Sequence, residues 1–169
     1  MKRLYFFLIS LLIIGCSTIK EFGKPKIIPT NSNELIEFPF GHNESIASYK
    51  SNLPKKTNVV KMVQRNIHYP NRVDTIYSFN YKKSKIAVVK TYFNKEMVLG
   101  GNVENKEIIL KNGVQVGMLW DDFVLAFTNF NETYSDTVAL KNEARKRKIT
   151  FYFDKNKTLK RYTFNEYID

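Results

Sequence analysis

Apolar residues recur at helical spacing in two stretches of the chain, and each stretch predicts a helix. Residues 43–53 carry an apolar stripe that ends before Pro54, and Asn43 is the expected N-cap. Residues 120–127 carry a second stripe with the i, i+3, i+4, i+7 spacing of a core-facing helix. The positions of this second stripe are Trp120, Phe123, Val124 and Phe127. We expect its aromatic members, Trp120, Phe123 and Phe127, to be buried against a sheet.

Alternating apolar and polar residues elsewhere predict strands, because successive side chains of a strand point to opposite faces. The predicted strands are Thr75–Phe79, Lys85–Phe93, Lys106–Leu110, Ile149–Phe153 and Lys160–Ile168. The glycine pair Gly100-Gly101 is an expected turn. In the C-terminal hairpin, Ile149, Phe151 and Phe153 form the more apolar face, so we expect that face to be buried.

The order of these elements predicts an α+β fold, with helices packed on one face of an antiparallel sheet. The same order occurs twice, and short segments match between the two occurrences. Phe38-Pro39-Phe40-Gly41 corresponds to Val114-Gln115-Val116-Gly117, and Asp74-Thr75-Ile76 to Asp136-Thr137-Val138. We therefore expect a globular domain over residues 36–169, built from tandem helix-plus-strands units at 36–111 and 112–169.

The first fifteen residues have the pattern of an export signal. A basic start at Lys2 and Arg3 precedes an apolar run over residues 4–14. This run is shorter than the roughly 20 apolar residues that a membrane-spanning helix needs. Residues 1–15 are therefore a predicted signal peptide.

The single cysteine of the chain stands directly after this signal. Ile13-Ile14-Gly15-Cys16 resembles the lipobox of bacterial lipoproteins, and the resemblance implies that Cys16 is lipidated. By the same resemblance, Ser17 implies localisation in the outer membrane, facing the periplasm or the cell surface. The polar residues that follow complete a predicted lipidated tether over residues 16–35.

Composition and charge narrow the classes of partner. The chain has 169 residues and a formal net charge of +11. Basic runs at residues 82–85 and 145–148 are interpreted as solvated hairpin ends, with anionic lipid headgroups as the alternative partner. Nucleic acid is not an expected partner, because an exported lipoprotein encounters little of it.

Residue patterns for catalysis or metal binding are missing from the sequence. Its two histidines, His42 and His68, have no further ligands at metal-site spacing. Asp121 and Asp122 point about 100° apart on a helix, so helix-dipole stabilisation is favoured over acid–base catalysis. The two Asp-Thr segments noted above resemble bacterial O-glycosylation acceptors, although a structural role is favoured. We predict no catalytic residue, no metal, no cofactor and no enzyme activity.

One segment resembles a known family. Residues 112–123, with the sequence NGVQVGMLWDDF, resemble the helix entry of small outer-membrane lipoproteins of the SmpA/OmlA type. They also resemble the β-lactamase inhibitory protein family, which has two tandem copies of a related α/β unit. The hairpin at residues 149–164 resembles theirs as well. The resemblance implies a protein-binding or assembly scaffold at the outer membrane, or alternatively an inhibitor or immunity-type protein that blocks a specific enzyme.

The sequence also predicts where a partner binds. If the Ile149 face of the C-terminal hairpin is buried, its opposite face presents Tyr152, Arg161 and Tyr167. Tyrosine and arginine are frequent interface anchors, because they combine a large contact area with a polar group. We therefore expect Tyr152, Arg161 and Tyr167 to contact another envelope protein, with a plain solvated face as the alternative.

Overall fold

A computed structural model describes residues 26–166 of the chain, which form one antiparallel sheet and a thin covering layer. In chain order these residues form α1 (Ser32–Glu37), α2 (Ile46–Asn52), β1 (Asn58–Arg65), β2 (Val73–Tyr81), β3 (Ser84–Lys90), β4 (Glu96–Val103), α3 (Trp120–Leu125), β5 (Thr137–Asn142), β6 (Arg147–Phe153) and β7 (Leu159–Glu166), with a 3₁₀ turn at Glu143–Arg145. The strand order across the sheet is β1-β2-β3-β4-β7-β6-β5.

Two antiparallel meanders meet at the centre of this sheet. Strands β1 to β4 follow one another as hairpins, and so do β5 to β7. The last strands of the two meanders, β4 and β7, pair over four residues, from Gly100 opposite Asn165 to Val103 opposite Tyr162. The strand order is therefore symmetric about the β4–β7 pair, except that β1 adds an edge strand to the first meander.

The prediction of an α+β fold with helices packed on one face of the sheet is wrong. Within residues 26–166 the three helices have six, seven and six residues, whereas the sheet has seven strands. Much of the covering layer is irregular chain, and its loops contribute the buried side chains of Ile108, Leu110 and Val114. The fold is sheet-dominated, and the expected helix-plus-strands units are better described as two meanders with short helices above them.

The core lies between one face of the sheet and this covering layer. Trp120, Phe123 and Phe127 are 7%, 0% and 7% exposed, so the prediction that they are buried is confirmed. The ring of Phe123 lies 4.8 Å from that of Phe151 and 5.1 Å from that of Phe153, in edge-to-face geometry. Ile149, Phe151 and Phe153 are all buried, which confirms the predicted face of the C-terminal hairpin.

The helices are short because each is bounded by local signals. The N-cap of α2 is Ser45 rather than Asn43, since the Ser45 hydroxyl oxygen accepts a hydrogen bond from the Ser48 N–H at 3.1 Å. Asn43 lies two residues before this cap, and its side-chain oxygen accepts hydrogen bonds from the N–H and the hydroxyl of Ser45. α3 begins after Leu119, which has no capping side chain, and Asp121 and Asp122 lie in its first turn.

Three sequence-based assignments differ from the structure. Residues 106–110 form a loop, because their apolar side chains pack into the covering layer rather than along a strand. Gly100 and Gly101 lie within β4, not in a turn. A Cβ atom at Gly101 would lie 2.6 Å from the Phe164 ring, so this glycine is required by packing between strands. The edge strand β1 was not expected at all.

Residues 26–35, which belong to the predicted tether, pack against the domain. The N–H groups of Ile28 and Thr30 donate hydrogen bonds to the carbonyls of Asn112 and Ala126, each at 3.1 Å. Leu35, in α1, is fully buried. These contacts place residues 26–35 in the domain, while the remaining part of the predicted tether and the signal peptide lie outside the described residues. Between residues 26 and 166, no helix has the length and apolar character needed to cross a bilayer.

Candidate binding face of the sheet

The face of the sheet that points away from the core is uncovered; we refer to it as the open face. Because side chains alternate along each strand, the register assigns its members directly. They include Val60, Met62, Ile76, Ser78, Lys85, Ala87, Val89, Met97, Leu99, Asn102, Thr137, Ala139, Lys141, Lys148, Thr150, Tyr152, Arg161 and Thr163. Val60, Met62 and Leu99 are 49%, 56% and 38% exposed, so residues 26–166 do not cover this face.

Two of the three predicted contact residues lie together on the open face. Tyr152 in β6 and Arg161 in β7 are direct cross-strand partners. The guanidinium carbon of Arg161 lies 4.0 Å from the centroid of the Tyr152 ring, which is a cation–π arrangement. The contact holds two flexible side chains against each other and presents a flat aromatic surface with a positive charge. The third predicted residue, Tyr167, and the predicted lipidation site, Cys16, lie outside the described residues.

A β-bulge beside this pair sets its geometry. The register shifts after Tyr152, so that Phe153 lies opposite Leu159 and Lys160 is the extra residue. The Lys160 ammonium pairs with the Asp154 carboxylate at 3.0 Å. That carboxylate also accepts the N–H groups of Thr158 and Asn156 at 2.9 Å each, and these contacts hold the pKa of Asp154 below its ordinary value. The turn between β6 and β7 is thus held by an ionised side chain next to Arg161.

A shallow depression lies at the centre of the open face, where the two meanders meet. It has a volume of about 300 Å³ and is lined by Lys85, Ala87, Leu99, Gly100, Gly101 and Asn102. The depression exists because Gly100 has no side chain. A Cβ at Gly100 would lie 2.6 Å from the carbonyl oxygen of Phe164, so a larger residue would also force β4 and β7 apart.

The open face has an apolar part and a basic part. On β1 to β4 half of its side chains are apolar, among them Val60, Met62 and Leu99. On β5 to β7 they are threonines, Tyr152 and basic residues, the latter being Lys141, Lys148 and Arg161. Within the described strands, Asp74 is the one acidic residue of this face, and it is buried and accepts two hydrogen bonds. The open face therefore suits a partner surface that is acidic beside an apolar patch.

Two titratable groups, His42 and Asp74, have structural roles. The Nδ1 atom of His42 lies 2.8 Å from the Asn43 carbonyl oxygen, and its ring packs edge-on against Tyr49. Asp74 accepts hydrogen bonds from Asn66 and from the Tyr92 N–H. Residues 26–166 contain no cluster of three His, Cys, Asp or Glu side chains that could hold a metal ion.

A charged cleft at one end of the sheet was missed by the sequence analysis. It measures about 390 Å³ and contains Arg147, whose Nη1 and Nη2 atoms donate to the two carboxylate oxygens of Glu44 at 2.6 and 2.7 Å. Nη2 also donates to Glu166 at 3.0 Å, and Nη1 to the Glu37 carbonyl at 3.1 Å. Burial lowers the pKa of Arg147, but the hydrogen bonds to Glu44 and Glu166 raise the pKa by more, so this side chain stays charged.

These interactions join α1, the loop before α2 and the ends of β6 and β7 at one point. Because the cationic and anionic groups of Arg147, Glu44 and Glu166 satisfy one another, we assign the cleft to stability rather than to ligand binding. Arg147 belongs to a run of four basic residues, and the sequence carries no signal that separates it from its exposed neighbours.

No protein-family model, no curated protein and no solved structure matches the chain significantly. The resemblance to lipoproteins of the SmpA/OmlA type thus stays a prediction from sequence.

Proposed function

We propose that this protein is a lipid-anchored, non-enzymatic envelope protein that binds another protein through the open face of its sheet. The open face is the observation that carries the proposal. It is a broad, uncovered surface on which Tyr152 and Arg161 are in contact on β6 and β7, while exposed apolar side chains lie on β1 to β4. Interfaces are enriched in such tyrosine and arginine anchors.

The charge distribution supports a particular kind of partner. Lys141, Lys148 and Arg161 make the β5 to β7 part of the open face basic. The carboxylates next to this face already accept hydrogen bonds, that of Asp74 from Asn66 and that of Glu104 from the Asn102 side chain at 2.8 Å. A partner with acidic groups opposite β5 to β7 and apolar groups opposite β1 to β4 would complement both parts. Such complementarity favours rapid and specific association.

A scaffold and an inhibitor remain the two forms of this proposal. Both use a rigid surface that changes little on binding, and the sheet provides it. The central depression at Gly100 supports the inhibitor form, because it would accept a protruding side chain of an enzyme. We place the scaffold first because the predicted anchor confines the protein to the membrane, where assembly partners are held as well.

The binding proposal can be tested with a photo-crosslinking amino acid placed on the open face. We expect p-benzoylphenylalanine at Tyr152 to yield one major protein adduct in the native cell envelope. The same amino acid at Leu125, which is 62% exposed on α3 on the other side of the molecule, is the matched control. The adduct should be absent there. Equal adducts at both positions, or none at Tyr152, would contradict the proposed binding face.

A combined variant tests the predicted contact residues themselves. Tyr152→Ala, Arg161→Ala and Tyr167→Ala together should reduce recovery of the same adduct, measured with the crosslinking amino acid at Thr163, by about tenfold or more. Circular dichroism of the variant verifies that the fold is retained. If recovery is unchanged in a folded variant, these three residues do not carry the contact.

The membrane anchor has an independent test. Cys16→Ala should leave an unprocessed precursor or release the protein from the outer membrane, because two or more acyl chains are needed for stable anchoring. Membrane fractionation and mass spectrometry of the N-terminus measure this. Normal processing and fractionation of Cys16→Ala would contradict lipidation without bearing on the open face.

A further inference from the structure

Two neighbouring hairpin turns expose a cluster of apolar side chains at one end of the sheet. We define the aromatic tip as Ile67 and Tyr69, between β1 and β2, with Tyr92 and Phe93, between β3 and β4. These side chains are 88%, 57%, 37% and 59% exposed. The Tyr92 ring lies 5.4 Å from that of Tyr69 and 4.9 Å from that of Phe93. The three rings therefore form one connected apolar surface, and Ile67 is exposed in the same turn as Tyr69.

Hydrogen bonds hold both turns in shape. The Asn66 side-chain oxygen accepts the N–H groups of His68 and Tyr69 at 3.0 and 2.9 Å. The Asp74 carboxylate accepts the side-chain amide of Asn66 at 2.7 Å and the Tyr92 N–H at 2.9 Å, so it links the two turns. The second turn is closed by the Thr91 N–H, which donates to the Lys95 carbonyl at 2.9 Å. The hydrogen-bonded turns thus hold the aromatic tip in place, although its own side chains are largely exposed.

The charges around the aromatic tip are of one sign. Residues 65–73 and 90–95 contain Arg65, Arg72, Lys90 and Lys95, and they contain no aspartate or glutamate. Two carboxylates flank these segments, and both already accept hydrogen bonds. Asp74 is 7% exposed and accepts two, and Glu96, which lies opposite Lys90, accepts the Ile46 N–H at 2.8 Å. An apolar tip with a basic rim has the chemistry of segments that lie at the boundary between lipid headgroups and acyl chains.

We propose that the aromatic tip docks into the interfacial region of an anionic lipid surface. Tyrosine rings suit the headgroup level of a bilayer, Ile67 and Phe93 suit the upper acyl region, and the four basic residues suit anionic headgroups. A lipid surface is favoured over a protein partner because the most exposed residue is an isoleucine at the apex of a projecting turn. Protein interfaces instead place apolar anchors at the centre of a patch.

The inference rests on the proposed function in one respect, because the predicted anchor would hold the domain at a membrane. Nine residues lie between Cys16 and Lys26, the first described residue, so this segment spans at most about 36 Å when fully extended. Docking of the tip would then fix the orientation of the anchored domain. It would leave the open face, which is a different surface, available to a partner.

The experiment uses the full mature chain anchored in vesicles of phosphatidylethanolamine and phosphatidylglycerol. A tryptophan at position 93 (Phe93→Trp) is quenched by lipids brominated near the headgroup end of their acyl chains. We expect quenching about twofold or more above that of Leu125→Trp, an exposed position away from the tip, because interfacial segments enter about 5–10 Å into the bilayer. Trp120 is common to both variants and only 7% exposed.

Further arms of the experiment separate the contributions to docking. Ile67→Ser in the Phe93→Trp chain should reduce the excess quenching by about half, since one of two inserted apolar side chains is lost. Phosphatidylcholine vesicles should reduce it as well, because anionic headgroups are removed. Equal quenching of Phe93→Trp and Leu125→Trp on the anchored chain would overturn the proposal. The proposal would also be overturned if Ile67→Ser left lipid quenching unchanged but abolished a crosslink to a protein. Failure of the chain to stay on the vesicles would instead contradict the anchor.

Discussion

The two faces of the sheet consist of the same strands but have different roles. In β6, Ile149, Phe151 and Phe153 are buried, while Tyr152 lies between them on the open face in contact with Arg161. On the covered face of β6, the rings of Phe151 and Phe153 each lie near three other rings. On the open face, Tyr152 contacts Arg161 and is only partly buried. Strand alternation therefore separates residues that stabilise the fold from residues that are free to recognise a partner.

This comparison implies that substitutions on the two faces have different consequences. Truncation on the covered face removes buried contacts and leaves a cavity, so it lowers the free energy of unfolding. Truncation on the open face removes surface that is already exposed, so stability changes little. Four sets of variants test this separation, beginning with the one expected to lose most stability.

Phe123→Ala should lower the free energy of unfolding by about 3–5 kcal/mol, because a fully buried ring at the centre of the aromatic cluster is lost. Leu125→Ala, on the same helix but 62% exposed, is the matched control and should change it by less than about 0.5 kcal/mol. Urea denaturation measures both. Similar values for the two variants would show that α3 does not cover the sheet as described.

Arg147→Ala should lower the free energy of unfolding by about 2–4 kcal/mol, somewhat less than for a fully buried ion pair. The side chains of Arg147 and Glu44 are 19% and 17% exposed, and removal of the cation leaves two carboxylates without it. Arg145→Ala is the control: Arg145 pairs with Glu37 but is 61% exposed, so its loss should cost less than about 1 kcal/mol. Thermal melts at low and high salt distinguish the two, and equal losses would contradict the assignment of the cleft to stability.

Tyr162→Phe should lower the free energy of unfolding by about 1 kcal/mol at neutral pH, because the Tyr162 hydroxyl donates to the Ile108 carbonyl at 3.1 Å. Burial raises the pKa of Tyr162 above its ordinary value of 10.0. The unfolded chain therefore ionises this residue first, and the parent loses stability as the pH rises above 10. The gap between parent and variant should narrow above that pH; a constant gap up to the alkaline unfolding of both proteins would contradict the burial of this hydroxyl.

The pair on the open face should give the smallest effect. A double-mutant cycle of Tyr152→Leu and Arg161→Leu should show a coupling of about 0.5–1 kcal/mol, as for cation–π contacts at exposed sites. Each single change should leave the melting temperature nearly unchanged, while it reduces adduct formation with the partner by less than the combined variant does. A coupling near zero would mean that the two side chains do not hold each other in place.

Part of this arrangement could be predicted because it depends on local periodicity. The buried stripe of Trp120, Phe123 and Phe127 follows from helical spacing, and the buried face of β6 follows from strict alternation. The same alternation put Tyr152 and Arg161 on the opposite face. Their mutual contact depends on the register, which the bulge at Lys160 sets and which the sequence does not show.

Other features could not be predicted because their causes are distant in the chain. The edge strand β1 is largely exposed on both faces, so its residues show no clear alternation, and its pairing with β2 defines it. The pair Gly100-Gly101 is typical of a turn, and only the tertiary structure shows that both glycines pack against Phe164 of β7. Residues 106–110 look like a strand because they end in three consecutive apolar residues, of which Ile108 and Leu110 are buried in the covering layer.

Periodicity in the sequence was enough to predict the strands β2, β3, β6 and β7, the aromatic stripe of α3 and the two different faces of the C-terminal hairpin. The tertiary structure decided that the sheet dominates, that irregular chain rather than long helices covers it, and that Arg147 and the aromatic tip are special among similar residues. The physical reason is the range of the forces involved. Periodicity is a local property of the backbone, whereas burial, ion pairing and exposure depend on segments that meet only after folding, as Arg147 meets Glu44 more than one hundred residues away.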